Sequence, residues 1–107
     1  MSLDVSLTVT KPVEVFEANI THNLCEMAEA AGIYAAVWHP EGLAIEFAEQ
    51  LVPVLEAGIN ELKANPERFK TLDAKNGWGT YDQFVPWLEK YLAACKENPE
   101  AQIGVSR

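Results

Sequence analysis

The sequence predicts an α+β fold that is mostly helical, with about three main helices and a small sheet formed by the N- and C-terminal strands. Two alternations predict the sheet. Leu3, Val5, Leu7 and Val9 interleave with Asp4, Ser6, Thr8 and Thr10 at the start, and Ala101, Ile103 and Val105 interleave with Gln102, Gly104 and Ser106 at the end. Both have the period of a strand with one buried face. Between them, apolar residues recur at helical spacing. Two strands separated by helices have only each other to pair with, so a terminal sheet is expected.

Taken in order, Pro12 interrupts the first strand, and residues 13–16 (VEVF) resume extended structure before the chain turns at residues 18–23 (ANITHN). Asn23 followed by Glu26 has capping-box spacing. Leu24, Met27, Ala28 and Ala31 then share one helical face, and Gly32 is a ready stop. A shorter segment, residues 33–40, leads to Pro40. The longest helix is expected over residues 43–64, where Ala44, Phe47, Ala48, Leu51, Val52, Leu55, Ile59 and Leu62 form a stripe that Pro53 should kink. Asn65-Pro66 ends it and starts a brief turn through residues 66–70. Thr80 and Gln83 form a capping box for the last helix, whose stripe is Phe84, Trp87, Leu88, Tyr91, Leu92 and Cys95. Pro86 should distort its start, and Asn98-Pro99 closes it.

A chain of 107 residues suits a single globular domain spanning 1–107, and an apolar content of 49% belongs to folded chain rather than to a disordered tail. Net charge is −8, unevenly spread: residues 1–62 hold ten acids against Lys11, while residues 63–107 hold six acids and seven bases. This balance repels phosphate backbones, so no direct nucleic-acid binding is expected, whereas a basic protein partner would suit it. No apolar run approaches the ~20 residues that span a bilayer, and the opening lacks a basic and apolar leader, so a cytoplasmic chain without membrane contact is expected. Asn19-Ile20-Thr21 matches a glycosylation acceptor that would then be inert. Cys25 and Cys95 are expected as two small buried thiols rather than a disulfide.

Two stretches concentrate polar and aromatic side chains. Asn19, Thr21, His22 and Asn23 stand where strand gives way to helix, and Asn76, Trp78 and Tyr81 lie in NGWGTYDQF, residues 76–84. Asn and Thr at such a junction can cap the helix; the functional alternative is a cradle in which free amides, amide side chains and a stacking indole hold a polar or anionic ligand. Gly77 and Gly79 permit backbone angles closed to other residues, and Trp78 is expected to fold back as a plug over the core. Trp38 sits near a loop, where aromatic residues also anchor interfaces. His22 and His39 lack the carboxylate or thiolate spacing of a metal site, and the two glycines lack the rest of a phosphate loop. Cys25 and His22 have i, i+3 spacing, but an apolar setting makes a thiol inert. No catalytic residue, metal or cofactor is therefore expected.

The stretches FEANITHNLCEMAEAAGIY and NGWGTYDQFVPWLEKYLAAC, with the ending IGVSR, resemble a family of small uncharacterised proteins of bacterial and phage or mobile-element genomes. Its members share N-[IVY]-T-[HY]-N and NGWG-[ST]-Y runs, matched here by Asn19, Thr21, His22 and Asn23 and by Asn76, Gly77, Trp78, Gly79, Thr80 and Tyr81. The resemblance covers most of the chain and implies no chemistry. The expected function is a non-catalytic protein-interaction role, as in a phage or mobile-element accessory protein; the alternative is a small-molecule binding protein using the Asn/His/Trp cluster.

Overall fold

A computed structural model describes residues 1–9 and 13–107. The break expected at Pro12 and the last step of the first alternation, Thr10, lie outside the described residues. The opening alternation forms β1 (Ser2–Val9), with Leu3, Val5 and Leu7 fully buried and Asp4 exposed. β2 (Val13–Thr21) and β3 (Gln102–Ser106) both pair with it antiparallel, in the order β2-β1-β3. The sheet therefore joins the two ends of the chain as expected, but β1 has two partners rather than one.

The added partner corrects the reading of residues 18–23 as a turn. β2 runs on through Ala18, Asn19, Ile20 and Thr21, because Ile20 buries opposite Leu3 and Asn19 lies opposite Asp4. The ladder slips between Leu7 and Thr8: Leu7 faces Phe16 and Thr8 faces Glu14. Val15 is the unmatched residue of this bulge.

A 3-10 turn (His22–Leu24) leads into α1 (Cys25–Ala30), followed by α2 (Tyr34–Trp38) and a second 3-10 turn (Pro40–Leu43). The two long helices are α3 (Ala48–Ala64) and α5 (Tyr81–Glu97), with the short α4 (Pro66–Lys70) between them. Thr21, not Asn23, caps the first turn: its Oγ1 accepts from the Asn23 amide at 3.2 Å. α3 begins five residues later than the start expected at residue 43. Ala44 is left-handed at φ 58°, and Phe47 bridges to Gln102, so these two apolar residues precede the helix. Gln50 Oε1 accepts from the Glu46 and Phe47 amides, both at 2.9 Å, and Gln83 Oε1 accepts from Gly79 and Thr80 at 2.9 and 3.0 Å. Each long helix thus starts with a glutamine side chain that satisfies two backbone donors. Both helices continue unbroken past Pro53 and Pro86.

The core is one contiguous cluster between the inner sheet face and the helices. Leu3, Val5, Leu7 and Ile20 meet buried residues that include Leu24, Met27, Leu51, Leu55, Phe84 and Leu88. Phe16 stacks on Tyr91 at 5.8 Å, which seats β2 on α5. The end of the chain is tied down by Arg107, whose Nη1 donates to Trp38 O at 2.8 Å and to Glu41 Oε1 at 3.0 Å. Cys25 and Cys95 are free thiols; Cys95 is buried, and Cys25 only partly so. Among the described residues no helix is long and apolar enough to cross a membrane.

Candidate functional site

Hydrogen bonds beyond those to Gln83 Oε1 shape the loop between α4 and α5. Ala74 N donates to Gly79 O at 2.9 Å and Gly77 N to Ala74 O at 3.1 Å. Asn76 Oδ1 accepts from Trp78 N at 2.9 Å, Gln83 Nε2 donates to Gly77 O at 3.3 Å, and Asp73 Oδ1 accepts from Tyr81 N at 2.7 Å. Another crosses the fold: Asn23 Nδ2 donates to Trp78 O at 2.7 Å. The Asn23 side chain thus reaches to the loop through its donor, while its own backbone amide is capped by Thr21 Oγ1.

Gly77 and Gly79 have φ of 79° and 118°, a region that L side chains rarely adopt. Gly79 is buried, and a Cβ there would lie 2.9 Å from Asn23 Cβ and 3.2 Å from Thr21 Cγ2. The loop backbone is thus pressed onto the end of β2. Its largest side chain is not: Trp78 is 72% exposed. The expected plug over the core is overturned, because the positive φ on either side turns the indole away from the surface on which Gly79 rests.

The structure brings Thr21 and Asn23 together with Trp78 and Gly79, and separates the other candidates. Asn19 lies on the outer sheet face, where its Nδ2 donates to Ser2 Oγ at 2.9 Å and Asp4 Oδ1 at 2.6 Å. Asn76 is used within the loop. Tyr81 is structural: its hydroxyl donates to Leu62 O at 3.0 Å and its ring lies under Lys70 Nζ at 5.5 Å, which ties α5 to α3 and α4. Trp38 is buried, 1% exposed, and its Nε1 donates to His22 Nδ1 at 2.8 Å. A neutral His22 therefore carries its proton on Nε2. Cys25 Sγ is 4.0 Å from the same Nδ1, and partial burial, with the Glu29 charge second, pushes its thiol above the usual range. A thiol held protonated beside an occupied nitrogen is not an activated nucleophile. His39 Nε2 meets the Tyr34 hydroxyl at 3.1 Å, and among the described residues no three His, Cys, Asp or Glu side chains gather as metal ligands.

Glu14 and Glu17 were absent from the candidates read in the sequence. They stand with Asp4 along a shallow depression of about 270 Å³ on the outer sheet face. A hydrogen bond with Glu17, then burial and the Glu17 charge, raise the Glu14 carboxyl above its ordinary range. Their acidity was legible in the resumed strand VEVF and the residue after it; their common face required the register. No family model matches the chain, and no curated protein or solved structure does either.

Proposed function

We propose that the chain is a non-catalytic protein-interaction protein, an accessory protein of a phage or mobile element, that engages a basic protein partner with Trp78 as an anchor. One observation carries this reading: a tryptophan with 72% exposure sits on a loop whose backbone is held by Asn23, Asn76, Asp73 and Gln83. A large rigid aromatic on a preorganised backbone loses little freedom on docking, which is why such residues dominate interface energetics. The acidic first part of the chain favours a partner rich in lysine and arginine. A small-molecule reading gains less support, because Asn19 bonds to Ser2 and Asp4, His22 to Trp38, and Asn23 and Asn76 to the Trp78 backbone, so the four side chains do not converge on one point.

Capture from extracts of the native host, quantified by mass spectrometry, compares the wild type with Trp78→Ala at about 0.1 M and 1 M salt, where the Debye length falls from ~10 to ~3 Å. A basic protein lost with Trp78→Ala and weakened by salt is the expected result. If no captured protein depends on Trp78, the reading is wrong.

A further inference from the structure

The two outer strands of the sheet are finished differently. β3 is covered: Ile103 N donates to Glu46 O and Ala48 N to Ala101 O, both at 2.9 Å, so residues 46–48 close that side. β2 is an edge strand of nine residues with nothing paired beyond it among the described residues. The ladder's phase follows from His22 N donating to Met1 O at 3.3 Å, which continues the β1–β2 register by one pair. Alternation then turns the Ile20 and Ala18 backbone groups toward β1 and those of Asn19 and Glu17 outward. The phase at Ile103, which points away from β1, agrees. Outward backbone donors and acceptors on an uncovered strand are a template for another strand.

We propose that β2 adds a strand from the protein partner, and that this strand is basic on one face and apolar on the other. Residues directly opposite in the register share a face, so Glu17 with Ser6, and Asn19 with Asp4, lie on the solvent side. That side carries Asp4, Glu14 and Glu17 with no base among its described residues, and it would sit beside the outer-face side chains of an added strand. On the other side the half-buried Phe16 and Ala18 offer apolar cover. A second copy of this chain is the wrong occupant, since antiparallel pairing of β2 with itself about its centre sets Glu17 directly against Glu17. Gly79 rests on Thr21, the last residue of β2, so Trp78 stands at the end of the same edge. Main-chain bonds would supply affinity, and the alternating faces would choose the sequence.

The proposal rests on the interaction reading above, and its test separates the two. The probe is a fluorescein-labelled peptide of the nine-residue length of β2, alternating lysine with valine or threonine. Its control has the same lysines but proline at alternate apolar positions. Wild-type protein should bind the alternating peptide at least tenfold tighter than the control. Hydrogen exchange of the Glu17 and Asn19 amides should slow on addition of the alternating peptide alone. Glu17→Pro removes an outward donor without touching the β1–β2 ladder and should lose at least tenfold; Glu14→Gln with Glu17→Gln should weaken binding and flatten its salt dependence. Equal binding of both peptides, no binding of either, or unchanged exchange at Glu17 and Asn19 overturns the edge; these rest on wild-type protein and stand even if Glu17→Pro fails to fold. A host protein captured through Trp78 but indifferent to Glu17→Pro would also overturn the edge, while leaving the interaction reading intact.

Discussion

The loop at residues 76–81 makes an inverted prediction: removing its largest side chain should cost less than adding one methyl group beside it. A fully buried tryptophan covers roughly 150–250 Å². With Trp78 72% exposed, little more than a quarter of that is at stake, on the order of 40–70 Å², or about 1–2 kcal/mol at ~25 cal/mol per Å². The figure is an upper value, because the unfolded chain also covers part of the ring. Trp78→Ala keeps the backbone bonds to Asn76 and Asn23. Gly79→Ala forces φ 118° on an alanine and brings its Cβ to 2.9 Å from Asn23 Cβ. Backbone strain of roughly 1–3 kcal/mol and overpacking of similar size put its cost at about 2–5 kcal/mol. Gly77→Ala meets nothing within 4 Å and should show the backbone strain alone. Urea unfolding of the three variants, at a common slope, gives the order directly. A loss of 3 kcal/mol or more for Trp78→Ala, or a larger loss there than for Gly79→Ala, would refute the exposed, backbone-held loop.

Three further outcomes are expected. A double-mutant cycle between Trp38→Phe and His22→Ala should return a coupling of about 0.5–3 kcal/mol from the 2.8 Å bond between them, and a value below ~0.3 would remove that bond from the account. Gln83→Ala orphans the Gly79 and Thr80 amides and should cost about 0.5–2 kcal/mol by thermal or urea unfolding, and an unchanged midpoint would mean that water replaces the side chain freely. Burial pushes the Cys95 thiol up to about 12 from an ordinary value of 9.0, so the stability it lends is full below pH ~8.5 and falls as pH rises toward 12; unfolding measured over pH 8–11 should decline more steeply for wild type than for Cys95→Ala, and parallel curves would contradict the burial.

Much of the fold was legible because its signals are local. The β1 and β3 alternations and the stripes of α3 and α5 need only neighbours two, three or four residues away. β2 was harder for an identifiable reason: the bulge at Val15 sets two apolar residues, Val15 and Phe16, side by side and breaks the period of two. Asn19 then suggests a turn, yet bonds to Ser2 and Asp4 hold it in the strand, partners that only the register supplies. The start of α3 was misplaced because Ala44 and Phe47 fall on the helical stripe while long-range pairing with β3 keeps Phe47 extended. Trp38 was ambiguous beside its loop until His22, sixteen residues away, was seen to accept its indole N–H. The convergence of residues 21–23 with 78–79 had no sequence signal of its own.

What stability alone would favour at this loop is the opposite of what stands there. Two glycines at positive φ enlarge the conformational freedom of the unfolded chain, and their flexibility must be overcome by the bonds from Asn23, Asp73, Asn76 and Gln83. Those bonds hold a backbone whose central side chain contributes little burial. An ordinary turn with a polar residue at 78 would satisfy the same α5 start through Gln83 and keep tryptophan out of water. The combination is economical only if the exposed indole is used. That is why the presentation of Trp78, beside the end of an uncovered and acidic β2, supports binding more strongly than any polar cluster in the chain.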